Sequence, residues 1–300
     1  MRSYVVDAFT SHPFSGNGAG VMVCGGSADQ LLAKNSILAP LLKPETAEAR
    51  RVMQQVAAEI NLSETAFTWK LSGACHAIRY FTPTVEIALC GHATLAAAKV
   101  LWETGKVARD VGVIFRTGEG QELRCDLEGD RIRMVFPRDE LDELAGEERT
   151  RLMESLSLLE RDLEAIYKGR LNSDYLVVVS HDVFNELDQH LRMQKIQDVN
   201  ETYGARGVIV TARAEATDGA VDVKSRFFSP NSGIPEDPVT GSSFPTIAAF
   251  YVPLLNRAAF VGLQDHPRRK GKVYVTVSEE DGTTAISGHA TMVSQTDWTI

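Results

Sequence analysis

The sequence predicts an α+β fold of two pseudo-symmetric lobes, each a mostly antiparallel sheet wrapped around one central apolar helix. Three observations predict it. One motif occurs twice: Arg79-Tyr80-Phe81-Thr82-Pro83 with Cys90-Gly91-His92-Ala93-Thr94 after it, and Arg226-Phe227-Phe228-Ser229-Pro230 with Thr240-Gly241-Ser242-Ser243 after it. The two arginines stand 147 positions apart (226 less 79), close to half of the 300 residues. Each copy leads into a run, Gly91–Glu103 or Gly241–Leu255, that is apolar nearly all round, and such a helix belongs inside a core. Elsewhere, strand patterns follow one another across short turns, which favours antiparallel pairing over a doubly wound parallel sheet.

The elements follow in order. Tyr4–Phe9 reads as a strand, Ser15–Gly20 as a turn and Val21–Cys24 as a second strand. Gly25–Glu45 reads as loop with a short helix. Val52, Val56 and Ile60 have helical spacing, which ends at Asn61. Glu64–Trp69 and Cys75–Phe81 are extended, and Gly105 stops the first apolar helix. Strands are expected at 112–115, 121–125 and 131–136, and a charged helical stretch over 139–164. Strands at 176–179 and 208–210 flank further helices, and Ala220–Phe228 leads into the second motif. Strands at 272–277 and 283–293 close the chain. The lobes are placed at 1–117, with a returning C-terminal strand at 286–300, and at 118–285.

Composition excludes several functions. Apolar residues make up 44% and charged residues 24%, with a net charge of −9. Arg268-Arg269-Lys270 is a short solvated cluster rather than a nucleic-acid surface. No apolar stretch has the length of a membrane span, and the N-terminus lacks the pattern of a signal peptide. The four cysteines (Cys24, Cys75, Cys90, Cys125) form no Cys-x-x-Cys pair, against a disulfide scaffold or a cysteine zinc site. A cytoplasmic protein with free thiols is expected.

Both motif copies read as strand, loop and Gly-started helix. Free backbone N–H groups at such starts suit an anion. Two starts facing each other would clamp a small acidic substrate.

Further segments complete a pattern: Val6-Asp7-Ala8-Phe9-Thr10, Phe14-Ser15-Gly16-Asn17, Asn61-Leu62-Ser63-Glu64-Thr65-Ala66-Phe67 and Glu236-Asp237-Pro238-Val239-Thr240-Gly241-Ser242. With the two motifs, in this order, the chain closely resembles the phenazine-biosynthesis PhzF-like isomerase family, which has the diaminopimelate epimerase-like fold. The resemblance runs from Val6 to Ile286-Ser287-Gly288. It implies two similar lobes with the active site in their cleft, no cofactor and no metal, a last strand that rejoins the first lobe, and a homodimer.

The resemblance also implies roles for residues. Glu64 matches the family's proton shuttle. A carboxyl lowered into an apolar cleft has its pKa raised and can take a proton from one carbon and return it to another. Without the motif, Glu64 would read as the solvated first residue of an edge strand. Gly91 and His92, at the first helix start, would hold a substrate carboxylate or donate to an enolate oxygen. Asp237 matches the residue that binds the substrate's amino or hydroxyl group, although Asp before Pro is also ordinary turn chemistry. Gly241 and Ser242 offer backbone N–H groups or plain helix capping. Asn17 is placed within reach of the cleft, although the family's usual Pro is replaced here by Gly18.

Cys90 raises an alternative. Racemases and epimerases of this fold use two cysteines, one at each helix start. Cys90 holds the first position and Thr240 the second, and a threonine hydroxyl cannot replace a thiolate. The expected function is a cofactor-independent isomerase of a small carboxylate. The alternatives are an amino-acid racemase using Cys90 and an unidentified base, or a family member that binds a metabolite or protein without catalysis. The tetrapeptide Gly288-His289-Ala290-Thr291 repeats Gly91-His92-Ala93-Thr94 in a strand pattern, so context, not the four residues, carries the reading of His92.

Overall fold

A computed structural model describes residues 1–25, 37–187 and 191–298. Most of the Gly25–Glu45 connection, residues 26–36, lies outside the described residues. Of the rest, Ala39–Leu42 forms a 3-10 turn. The chain divides into two compact units, Met1–Val135 with Gly288–Ile300, and Phe136–Ser287.

The first unit contains β1 (Arg2–Ala8), β2 (Asn17–Val23), α1 (Ala47–Ile60), β3 (Glu64–Ser72), β4 (Cys75–Phe81), β5 (Glu86–Ile87), α2 (Gly91–Glu103), β6 (Val113–Arg116), β7 (Glu122–Glu128) and β8 (Arg131–Pro137, the end of which lies past the division). The last strand of the chain, Ala290–Asp297, lies along β1. Thr46 opens α1: its hydroxyl accepts the N–H of Ala49 at 3.2 Å, the usual remedy for an unpaired donor at a helix start. Asn61, at φ 53°, closes it in the left-handed conformation that ends many helices. Between these ends α1 turns Val52, Met53, Val56 and Ala57 onto a core with Met22, Leu41, Phe67 and Phe81, and the last two meet edge to face at 5.5 Å. Helix α2 is buried at every position from Gly91 to Ala98 and packs on β1, β2, β3 and the last strand. Only Lys99 and Glu103, paired at its C-terminal end, reach water, and each fully buried Leu or Val on it contributes about 1.5–3 kcal/mol.

The second unit contains β9 (Leu141–Glu143), α3 (Gly146–Leu156), β10 (Leu163–Gly169), β11 (Tyr175–Val179), α4 (His181–Glu186), α5 (Met193–Tyr203), β12 (Val208–Arg213), β13 (Val223–Ser229), β14 (Ile234–Asp237), α6 (Phe244–Leu255), β15 (Ala259–Gln264), β16 (Gly271–Ser278) and β17 (Thr283–Gly288, whose last residue belongs to the first unit). One core gathers Leu152, Leu156, Tyr175, Phe184, Ile196, Val210 and Phe228. Gly204, at φ 64°, ends α5, a conformation that costs glycine nothing.

Both units repeat one succession of strand pairs. From the last strand through β1, β2, β3, β4, β6, β7 and β8 the pairs are antiparallel, antiparallel, parallel, antiparallel, parallel, antiparallel, antiparallel. From β9 through β10, β11, β12, β13, β15, β16 and β17 the succession is the same. Parallel neighbours need a long crossover, and each parallel step carries one: α1 or α2 in the first unit, α4 with α5, or α6, in the second. The repeated arginine also has a matched partner. Arg79 on β4 bonds Glu86 on β5 at 2.6 Å, and Arg226 on β13 grips Glu236 on β14 through two bonds of 2.7 Å. The arginine motif is therefore structural: it ties the loop before each apolar helix back to its strand.

Four expectations need correction. The division falls at 135/136 rather than 117/118, because β7 and β8 extend the sheet that β4 and β6 begin. The return begins at Gly288 rather than 286, because Ile286 and Ser287 pair with β16. The charged stretch 139–164 is α-helical only over Gly146–Leu156, with a 3-10 turn at Glu160–Asp162 and strand at both ends, since the left-handed Ser157 closes α3 early. The second apolar helix starts at Phe244, after a 3-10 turn over Gly241–Ser243; Pro245 fits only a first helical turn.

Candidate active site

Glu64 is the first residue of β3, four positions past the end of α1, and pairs in register with Ala19 of β2. His92 is the second residue of α2. The sheet and the helix start bring them together: Glu64 Oε2 lies 3.2 Å from His92 Nε2, and both side chains are less than 10% exposed. Ser63 Oγ lies 3.4 Å from the same nitrogen and donates to Asn17 Oδ1 at 3.3 Å. The Asn17 carboxamide sits 3.1 Å from His92 Nδ1; an amide can meet that nitrogen with its N–H or its oxygen. Cys90, capping α2, places Sγ 3.4 Å from Nδ1 and 3.9 Å from Nε2. Tyr80 and Thr94 share a 2.5 Å hydrogen bond, and Thr94 donates to the Cys90 carbonyl at 2.7 Å, fixing the turn that carries Cys90 and Gly91.

The electrostatics differ from the sequence expectation for Glu64. Burial does push its carboxyl up, but the charge and hydrogen bond of His92, with help from Ser63 and Cys90, outweigh burial and hold it below the usual carboxylate range. Burial pushes the His92 imidazole down; the opposing pull of Cys90 and Glu64 raises it well above its ordinary value. Burial and the Glu64 charge push the Cys90 thiol up to about 11. Glu64 and His92 form a buried carboxyl–imidazole pair in which each partner favours the charged form of the other. The correction arises because the apolar-cleft argument counted burial and left out a partner 28 positions along the chain.

In the second unit, Asp237 ends β14 and is nine-tenths buried. Its Oδ2 accepts the Thr240 hydroxyl, and its carbonyl accepts Gln264 Nε2 at 2.7 Å while Gln264 Oε1 accepts the Thr240 N–H at 2.7 Å. Gly241 and Ser242 form the turn that precedes α6, both buried. Ser242 is held twice: Arg206 Nη1 donates to its Oγ at 2.7 Å, and Asn172 Nδ2 to its carbonyl at 3.0 Å. Arg206 is itself locked by the fully buried Asp174 through its Nε at 2.8 Å and its Nη2.

The structure thus gathers Asn17, Glu64, Gly91 and His92 in the first unit, and Asp237, Gly241 and Ser242 in the second. Sequence reasoning missed the supports. Ser63 was legible as the neighbour of Glu64. Arg206, Asp174 and Gln264 carry no local motif and bond residues 24 to 36 positions away. A metal needs clustered donors, and among the described residues Glu64, Cys90 and His92 supply one such group, their ligand atoms all within 4.8 Å of one another. Thr240 faces Asp237 through its hydroxyl, so no second thiol stands at the position matching Cys90. Among the described residues no helix is long and apolar enough to cross a membrane.

Comparison with known proteins gives one answer. A family model described as "Phenazine biosynthesis-like protein" matches residues 6–296. An uncharacterised isomerase of Halalkalibacterium halodurans is 33% identical over 268 residues, which cover 88% of this chain and 87% of the relative. A phenazine biosynthesis-like domain-containing protein of Homo sapiens is 29% identical over 97% of this chain and 96% of its own. The crystal structure of a phenazine biosynthesis protein of the PhzF family from Enterococcus faecalis superposes with a TM-score of 0.76 at 30% identity, covering 98% of this chain and 97% of that one. A probable proline racemase from Agrobacterium radiobacter, at 13% identity and a TM-score of 0.62, shares the fold.

Proposed function

The chain belongs to the phenazine biosynthesis-like protein family, a group of isomerases and epimerases by the names its members carry, and on that premise we propose that it is a cofactor-independent isomerase that moves one proton on a small carboxylate, with Glu64 as the acid and base. The observation that carries the reading is the buried Glu64–His92 pair. A carboxylate held ionised in a site nine-tenths removed from water is ready to accept a proton from carbon. The C–H bond breaks, its electron pair moves toward the substrate carboxylate, and the imidazolium of His92 donates a hydrogen bond to the oxygen where charge grows. Glu64, now a carboxylic acid, returns the same proton to a second carbon, so no external acid is consumed.

Gly91 and Asn17 belong to the same binding surface in this reading. Asp237, Gly241 and Ser242 are proposed as substrate-binding residues of the second unit. The uncharged Cys90 thiol and the Thr240 hydroxyl favour a single shuttling carboxylate over two opposed thiols.

The test is incubation of small carboxylates and amino acids in D2O with wild type and Glu64→Gln, followed by mass-shift detection. The expected result is a compound isomerised or deuterated by wild type and untouched by a folded Glu64→Gln. Equal turnover by Glu64→Gln would remove Glu64 from the chemistry.

A further inference from the structure

Four hydroxyls surround the start of α6, and three of them already donate within the protein. Thr240 donates to Asp237 Oδ2, Ser243 to the Thr240 carbonyl at 2.7 Å, and Thr246 to Asp139 Oδ2 at 2.6 Å. Ser242 is the exception. Its Oγ accepts Arg206 Nη1 at 2.7 Å, and its own hydrogen meets no acceptor among the described residues. A hydroxyl has one hydrogen and two acceptor positions, whereas a guanidinium has five N–H donors and no acceptor. Arg206 therefore cannot take the Ser242 hydrogen, and Asp174 holds the guanidinium charged against burial. The geometry is fixed on every side. Asn172 Nδ2 holds the Ser242 carbonyl at 3.0 Å, Asp174 locks Arg206 through Nε at 2.8 Å and through Nη2, and the guanidinium lies over the Phe227 ring, 5.3 Å from its centre. Ser242 is only 6% exposed, a setting in which an unmet donor is costly until a ligand meets it.

We propose that Arg206, locked by Asp174, is a positioning residue that sets Ser242 as a hydrogen-bond donor, so that the substrate atom meeting Ser242 is a carboxylate or carbonyl oxygen rather than an ammonium. The assignment rests on Ser242 as a substrate-binding residue, the reading given above, and makes no use of Glu64. Accepting from a charged donor draws electron density from Oγ and makes its O–H the stronger donor. An ammonium would meet the positive end of that O–H and the charge of Arg206 behind it. A donor on the same ligand falls to Asp237.

The experiment is titration of the isotope-labelled full chain with acetate, an acceptor without a donor, and with ethylammonium, a donor without an acceptor, followed by NMR of the Gly241 and Ser242 amides. The expected result is a saturable shift with acetate and none with ethylammonium. Ser242→Ala should weaken acetate about tenfold. The paired change Asp174→Asn with Arg206→Met removes the guanidinium without stranding a buried charge. It should weaken acetate about as much, and adding Ser242→Ala to it should cost nothing further. A second pair, Asp174→Asn with Arg206→Gln, gives the Ser242 hydrogen an amide oxygen to meet and should weaken acetate in the same way. No acetate shift at these amides, an equal shift with ethylammonium, or additive losses in the triple variant overturns the assignment. Acetate binding needs no reaction at Glu64, so turnover by Glu64→Gln leaves this result standing, and failure here leaves proton transfer by Glu64 untouched.

Discussion

The two units share one succession of strand pairs and one arginine–glutamate tie, yet they differ at the two positions where chemistry could sit. The strand after the first crossover begins with Glu64 in one unit and with Val208 in the other. The residue after the helix-start glycine is His92 in one and Ser242 in the other. The first unit thus holds Glu64 against His92, and the second holds Asp237 against Thr240 and Ser242 against the Arg206–Asp174 pair. One frame thus carries different residues at these positions, as the proposed one-carboxylate proton transfer expects and a two-thiol mechanism does not.

The comparison can be broken by substitution. The largest effect is expected for Glu64→Gln, which should lower turnover by about a hundredfold to ten-thousandfold, while Ser242→Ala should act mainly on KM; steady-state kinetics on an identified substrate separates them, and equal loss of kcat in both would erase the distinction. Next is Arg206→Ala. It leaves Asp174 buried without its partner, and thermal unfolding should show a loss of about 3 kcal/mol or more. The paired change Asp174→Asn with Arg206→Met should recover most of that loss.

A smaller effect is the pH dependence of the Glu64–His92 coupling. The folded carboxyl lies below its unfolded value, so its contribution is present above about pH 4.3 and fades as pH falls through the folded pKa. The folded imidazole lies above its unfolded value, so its contribution is complete below about pH 6.5 and fades as pH rises through the folded pKa. A double-mutant cycle in urea should therefore give its largest coupling between those values and less on either side. The smallest effect is expected for Tyr80→Phe, which removes the bond to Thr94 and should cost about 1 kcal/mol by the same measurement.

How far the sequence could be read depended on distance along the chain. The strands, the two apolar helices and the motif residues were legible because period, turn chemistry and family pattern are local. Glu64 was placed at the right strand start, but the direction of its pKa was reversed, because His92 reaches it only through the fold. Arg206 and Gln264 were invisible for the same reason: an arginine that props a serine 36 positions away leaves no pattern near either. The start of α6 was misplaced by three residues although Pro245 stood there as a signal, since the glycine motif was given more weight than the proline.

The pairing of the last strand with β1 fixes an order of assembly. During translation most of the first unit leaves the ribosome before the second, yet β1 lacks a neighbour on one side until Ala290–Asp297 has been made. Phe136–Ser287 is contiguous and can close while the chain is still growing. The unit that carries Glu64 and His92 is begun before the second and completed after it, so every ribosome that stalls short of residue 290 leaves behind a chain with an open β1 edge and an incomplete first unit.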